Sequence, residues 1–262
     1  MRKSLPALLA IGLMLGAPVA SAATAGGPVL EGALNWQHWT AGNEIDNVAS
    51  LQRGARNFIG YCSGCHSLKY MRYSRMAEDL KIPEAQLEEF LILPGSKKSD
   101  YITTSLSPAD GEAWFGKAPP DLSLMARARG TDYLFQFLKT FYANPKAATG
   151  VDNLALPGTA MPHVLSELQG VQTGVFKDVE VKDAEGKTQT QKVFFAFEPG
   201  VPGSLSEAEY DEFIRDTVNF LDYVGEPAQL TRRGLGVWVV LFLLLFTGIA
   251  YLLKQEYWKD VK

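Results

Sequence analysis

The chain has 262 residues, 47% of them hydrophobic and 21% charged, with a formal net charge of −4. A mildly acidic balance disfavours binding to nucleic acid and suits a basic protein partner. Hydrophobic stretches stand near both ends, and the roughly 210 residues that remain between them are enough for one sizeable core.

The first stretch has the form of a secretory leader. Arg2 and Lys3 precede an apolar run from Leu5 to Leu15, and Ala20-Ser21-Ala22 supplies a small-x-small cleavage pattern. The run is short for an anchor, and Pro18 breaks it. Residues 1–22 are therefore expected to be removed on export, leaving residues 23–230 as the exported domain. Ala23 to Thr40 is irregular, with Trp36 and Trp39 as packing residues and His38 as a surface histidine between them.

Val48, Leu51, Ala55, Phe58 and Ile59 recur at helical spacing, which predicts a helix over 47–61 with Asn47 as its N-cap. It runs straight into Tyr61-Cys62-Ser63-Gly64-Cys65-His66, which holds both cysteines of the chain. This is the C-x-x-C-H pattern of covalent haem attachment. Two thiols one turn apart can add to the two vinyl groups of one haem, and the next residue places an imidazole under the iron. A structural zinc site needs four ligands, and His38 and His163 stand far off in no ligand-pair spacing. A thioredoxin-like C-x-x-C follows a strand, whereas a helix precedes this one. A disulfide between Cys62 and Cys65 would leave His66 unexplained. The expected fold is mainly α, a class I c-type cytochrome fold with loop and β-hairpin insertions and one C-terminal transmembrane helix.

Beyond the motif, Ser67 to Leu93 is basic at first (Lys69, Arg72, Arg75), then acidic and helical through Glu84 to Phe90. Pro94 to Gly116 reads as a long loop, punctuated by Pro94-Gly95, Ser107-Pro108 and Asp110-Gly111 and anchored by Trp114 and Phe115. Ala118-Pro119-Pro120-Asp121-Leu122-Ser123 predicts a rigid turn and then a helix start, with Leu124, Met125 and Arg127 in the helix. Arg127 and Arg129 are either solvated helix charges or partners for haem propionates, since a guanidinium matches carboxylate geometry. A further helix is predicted over 131–141, with Tyr133, Leu134, Phe137, Leu138 and Phe141 on one side, ended by Asn144-Pro145.

Asn153 to His163 is a Pro- and Gly-rich loop carrying Met161. A thioether is the usual sixth ligand that raises a cytochrome's potential. Met71 and Met76 lie too near His66 to cross to the opposite haem face, and Met125 has apolar helical neighbours. Met161 is thus the favoured axial ligand and His163 its rival. Val175 to Phe197 predicts a surface β-hairpin, with Phe176, Val179 and Val181 facing Val193, Phe195 and Phe197 across Asp183–Lys187. Asp178, Glu180, Asp183 and Glu185 there form an acidic patch or a merely solvated run. Ser206-Glu207-Ala208-Glu209 predicts a capping box. The helix it opens carries a Tyr210, Phe213, Ile214, Thr217 and Leu221 stripe, expected to pack on the helix over 47–61. Gly225-Glu226-Pro227 ends it. Leu235 to Leu253 carries no charge and reaches about 28 Å as a helix, enough to cross a bilayer. The expected anchor is 231–254, with interfacial Trp238, Tyr251, Tyr257 and Trp258. The leader orients it: the domain lies outside the cytoplasm and the tail, 255–262, inside.

Taken together these pieces resemble the cytochrome c1 family, the haem subunit of the bc1 complex, in its bacterial form. The resemblance rests on Leu51-Gln52-Arg53-Gly54 before Cys62-Ser63-Gly64-Cys65-His66 and on Pro119-Pro120-Asp121-Leu122-Ser123 with Arg127-Ala128-Arg129. Met161-Pro162-His163-Val164-Leu165 and the tail Glu256-Tyr257-Trp258-Lys259-Asp260-Val261 complete it. The resemblance implies one haem c held by thioethers to Cys62 and Cys65, with His66 and Met161 as axial ligands. Pro120, Arg129 and Tyr133 would line the cofactor, the last two near its propionates. It implies an anchor beside cytochrome b in a dimeric complex of the bacterial inner membrane. Electrons would arrive from a Rieske iron–sulfur protein and leave to a cytochrome c. The chain lacks the extra cysteines of some members, so no disulfide is expected near the methionine loop.

Other readings keep the same haem but change its setting: a stand-alone membrane-anchored carrier, or the haem subunit of a terminal oxidase. A haem enzyme or gas sensor would need a vacant or labile sixth position, which the Met161 loop argues against.

Overall fold

The structure, a computed structural model, describes residues 30–182 and 188–260. The expected leader and the hairpin tip, Asp183–Lys187, lie outside the described residues. A 3₁₀ turn at Trp36–His38 buries Trp36 and leaves His38 exposed. Helix α1, Val48–Asn57, starts at Asn47, whose side chain accepts from the Ser50 N–H at 3.1 Å. A π-helical turn, Phe58–Cys62, continues it to the first cysteine.

Strand β1, Leu68–Arg72, leads into α2, Tyr73–Asp79, and then into α3, Glu84–Gln86, with a π turn to Leu91. Met71 and Met76 are buried in the core. The stretch read as a loop over 94–116 carries two elements. Strand β2, Tyr101–Ile102, pairs antiparallel with β1. Helix α4, Pro108–Phe115, begins at Ser107, whose hydroxyl accepts from the Asp110 N–H, and stops at Gly116 with φ 74°. Ser-Pro and Asp-Gly, read as turn signals, are here an N-cap with proline at the first helical position and an in-helix pair. Trp114 is 69% exposed and anchors nothing.

Helix α5, Met125–Arg129, and α6, Thr131–Lys139, follow on either side of Gly130. The second ends two residues before the expected Phe141, which instead opens strand β3, Phe141–Ala143, paired with β4, Val151–Asn153. Short α7, Ser166–Gln169, precedes the hairpin of β5, Gly170–Lys182, and β6, Thr188–Pro202. The hairpin is longer at its base than 175–197, and none of residues 171–180 and 188–202 is buried. The residues that meet across it differ from expectation. Phe176 meets Phe194 at 5.8 Å, and Lys177 lies over the Phe195 ring. Neighbouring residues of a strand point to opposite faces, so Phe195 does not share the face of Phe194 and Phe176.

Helix α8, Glu207–Gly225, opens with the full capping box of Ser206 and Glu209. Helix α9, Gln229–Tyr257, contains an apolar span, Gly234–Tyr257, of mean hydropathy 2.4 with its side chains unburied. At about 1.5 Å per residue the span exceeds the roughly 30 Å hydrocarbon thickness. The chain divides into two compact units. One comprises Phe176–Phe195 with the chain up to Ala33. The other, Leu34–Val175 with Ala196–Lys262, holds the buried core found among the described residues.

The core is built on α1 against α8. Leu51, Ala55 and Phe58 meet a face bearing Ile214, Val218 and Leu221. The helices cross closely because Gly54 has no side chain. A Cβ there would strike the Asp216 carbonyl and come within 2.6 Å of Phe220 Cβ. A polar seam runs beside the apolar one. Buried Asp216 accepts from Ser50 Oγ at 2.6 Å and from Arg53 at 2.5 and 2.9 Å, and Asn57 donates to Phe213 O and Thr217 Oγ1. On the other side Lys139 of α6, only 8% exposed, pairs with Asp211 at 2.6 Å beneath the Trp39 ring. Beyond Gly225, Glu226 receives Arg127 of α5 at 2.7 Å and Arg232 of α9 at 3.0 Å. Arg127 is thus spoken for by the junction with α9.

Gly54→Ala is expected to destabilise the protein by about 1–3 kcal/mol, as overpacking against backbone does. Denaturant unfolding followed by far-ultraviolet circular dichroism measures it.

Candidate haem-binding site

The helix that α8 pins in place delivers the cysteines. Ser63 N–H bonds Phe58 O at 2.9 Å, five residues back, and Ser63 Oγ bonds Ile59 O at 2.7 Å. One extra residue per turn is typical of π-bulges at functional sites. The chain then tightens: Cys65 N–H and His66 N–H both bond Cys62 O, at 3.1 and 2.8 Å. Cys62 and Cys65 are half-buried free thiols with no disulfide between them. Cys62 packs against the core, and Tyr61 beside it meets Phe213 of α8 edge-on at 5.3 Å.

Pro120 lies where its carbonyl oxygen is 2.7 Å from His66 Nδ1. A carbonyl can only accept, so Nδ1 carries the proton and Nε2 keeps its lone pair. Burial lowers the His66 pKa, against the opposing pull of the Pro120 carbonyl and Asp121, and favours the neutral ring. A ligand imidazole oriented through its other nitrogen is the usual arrangement at iron and zinc.

The Pro120 carbonyl is itself held. Leu122 N–H bonds Ser67 O at 2.9 Å, Lys69 N–H bonds an Asp121 carboxylate oxygen at 2.9 Å, and Tyr70 N–H bonds Ser123 Oγ at 3.2 Å. The other Asp121 oxygen caps Ser123 N–H at 3.0 Å. Residues 120–123 therefore lace along 66–70 as a short irregular ladder. Helix α4 backs them: Gly111 sits so close that a Cβ would lie 2.7 Å from Pro119 Cδ. Thr104, after β2, ties the motif from the other side, with Oγ1 on Gly64 O at 2.7 Å and its N–H on Ser67 Oγ at 2.9 Å. No sequence signal marked Thr104. Asp121 and Ser123 were visible as a motif, but not as the clamp they form.

Met161 is half-buried on the loop between β4 and α7, its N–H reaching Thr159 Oγ1 at 3.4 Å. The start of that loop is fixed by fully buried Asn153, whose Oδ1 accepts from Ala155 and Leu156 N–H while Nδ2 donates to Phe137 O. Arg129 is exposed, with its guanidinium 5.7 Å from the Tyr133 ring centre. Tyr133 stacks on Phe137 at 6.3 Å, Phe137 meets Phe141 edge-on at 5.2 Å, and Phe141 lies under His163 at 4.8 Å. A row of rings thus joins Arg129 and Tyr133 to the Met161 loop. His163 is held to pKa about 4 by burial, against weaker raising contacts from Gln169 and Gly170. The donor set of two adjacent thiols, a neutral oriented imidazole and a loop thioether suits a c-type haem.

The model of the Cytochrome C1 family matches residues 36–92, 94–191 and 204–261, ranges that take in all of these residues. The chain belongs to the cytochrome C1 family. A relative named cytochrome c1, from Allochromatium vinosum, is 44% identical over 97% of this chain and 98% of its own. One named ammonia monooxygenase gamma subunit, from Nitrosomonas europaea, is 41% identical over 81% of this chain and 83% of its own. A cytochrome b/c1 of Bradyrhizobium diazoefficiens is 26% identical over 80% of this chain and 33% of its own. Family membership runs through α8 and α9 as well as the cysteine motif, so it covers the apolar helix and not the haem segment alone.

Asp121→Ala removes the acceptor for two backbone donors and should cost about 1–2 kcal/mol. It should also loosen His66, seen as a lower denaturant midpoint for loss of the low-spin haem spectrum.

Proposed function

We propose that this chain is the one-electron relay of a bacterial quinol–cytochrome c reductase. Membership of the cytochrome C1 family makes it a haem-carrying electron-transfer subunit of the bc1 complex. Cys62 and Cys65 would hold a single haem c through thioethers, with His66 and Met161 as the residues that would ligate its iron. Bound there, haem supplies a one-electron Fe(III)/Fe(II) couple. The observation that carries this reading is the His66 Nδ1 to Pro120 carbonyl hydrogen bond, which presents Nε2 as a ligand.

Two protein ligands leave no coordination position for oxygen or a substrate, so the residues position and insulate rather than transform. The monooxygenase name of the Nitrosomonas relative does not transfer, because oxygen activation needs an open position. Arg129 and Tyr133 would face the haem propionates, where the guanidinium would offset carboxylate charge. The chain accepts electrons from a Rieske iron–sulfur protein and passes them to a cytochrome c. The apolar helix α9 is its membrane anchor, packed beside cytochrome b in a dimeric complex of the bacterial inner membrane. Residues 1–22 are removed on export, residues 23–230 form the periplasmic domain, 231–254 cross the membrane, and 255–262 form the cytoplasmic tail.

Met161→Leu should abolish the sulfur–iron charge-transfer band and allow the reduced protein to bind carbon monoxide; an unchanged spectrum rules out the ligand assignment. Cys65→Ser should leave a single thioether, seen as a shifted pyridine haemochrome band. Mild detergent purification should bring down cytochrome b and a Rieske protein with the chain. Recovery without them favours the stand-alone carrier, and recovery with a terminal oxidase favours the other alternative.

A further inference from the structure

His163 stands two residues beyond Met161 with only Pro162 between them. Its ring lies flat on Phe141, centroids 4.8 Å apart and planes 2° from parallel. Phe141 is 1% exposed and gripped from behind by Phe137, so the surface under His163 is rigid. Nε2 is buried with no well-formed hydrogen bond, as is Gln169 Oε1. Weak polar contacts with Gln169 and Gly170 touch the ring, and packing against Phe141 is the larger restraint on His163.

The position of that stack matters because of the loop it closes. Before Met161 the loop is tied down by Asn153 and by Asp152, which accepts from Gly158 N–H at 2.7 Å. Between Gly158 and Met161 the ties are slight, with Met161 N–H reaching Thr159 Oγ1 only at 3.4 Å. After Met161 the first fixed point is the His163 ring. Pro162 has its φ locked by the pyrrolidine, so the placement of His163 is passed back to Met161 with little slack. Ser166 N–H on His163 O at 3.2 Å joins the same point to α7.

We infer that His163 is a positioning residue for Met161, its stack on Phe141 holding the thioether in place through Pro162. The inference rests on Met161 being the axial ligand. A thioether is a neutral ligand that an added donor can displace, so the strength of its bond depends on how well its loop is held. What the role requires of His163 is a flat aromatic face, not an imidazole. A histidine engaged in this way is also withdrawn from service as the rival ligand.

The test is a titration of imidazole into the oxidised, haem-loaded full chain at neutral pH, together with the sulfur–iron charge-transfer band. Loss of one stacked pair should make His163→Ala bind imidazole roughly two- to tenfold more tightly than the parent chain. His163→Phe, which keeps the stack, should match the parent in both affinity and band. His163→Leu, which fills the space without a flat face, should behave as His163→Ala, and serves in its place if that variant does not accumulate. Unchanged imidazole affinity in the Ala and Leu variants overturns the proposal, and so does an equal gain in His163→Phe. Met161→Leu separates this from the underlying reading. A native band in that variant means that another sulfur, not Met161, is the ligand, and a parent chain that is low-spin without the band means that the ligand is not a thioether, with His163 its rival.

Discussion

The close crossing of α1 and α8 is the constraint from which the site follows. Gly54 lets the two helices approach until the Asp216 carbonyl occupies the space of a side chain. That contact buries Leu51, Ala55 and Phe58 on one seam and the Ser50–Asp216–Arg53 network on the other. Because α1 runs without a break into the π turn at Phe58–Cys62, fixing α1 also fixes the first cysteine. Apolar burial supplies the driving force, and the buried polar seam sets which turn of α1 faces which turn of α8, since a shift would leave Asp216 unpaired in the interior.

The second level of organisation is a ladder rather than a pocket. Residues 66–70 and 120–123 are more than fifty positions apart, yet backbone and short polar side chains join them at four points. Each link is worth only about 1 kcal/mol. Together they aim one imidazole. Thr104 and helix α4 support the same two strips from outside.

What could be read from the sequence was whatever local chemistry decides. Asn47 as N-cap, the Ser206–Glu209 capping box, the apolar stripe of α8 and the spacing of Cys62, Cys65 and His66 are all short-range patterns, and the structure contains each of the helical ones. Helix α4 was not legible, since Ser107-Pro108 and Asp110-Gly111 serve turns as readily as a helix start. Gly111 is small because Pro119 presses on it, a fact that only the tertiary structure contains. Which aromatic residue meets Phe176 across the hairpin was likewise open, with candidates at 194, 195 and 197. Arg127 and Arg129 looked alike in sequence, and the difference between them is Glu226, ninety-nine positions from Arg127.

That carboxylate also decides how the apolar helix meets the rest of the chain. Only Pro227 and Ala228 separate Glu226 from the first turn of α9, a connection that alone would allow free swivelling. Arginines from both sides share the one carboxylate, each pair half open to solvent and worth at most about 1 kcal/mol. Turning α9 away must either part Arg232 from Glu226 or draw Arg127, and α5 with it, along. The joint therefore acts as a shallow spring with a rest angle. Thermal tilting of the bilayer can flex it, and raised ionic strength should soften it.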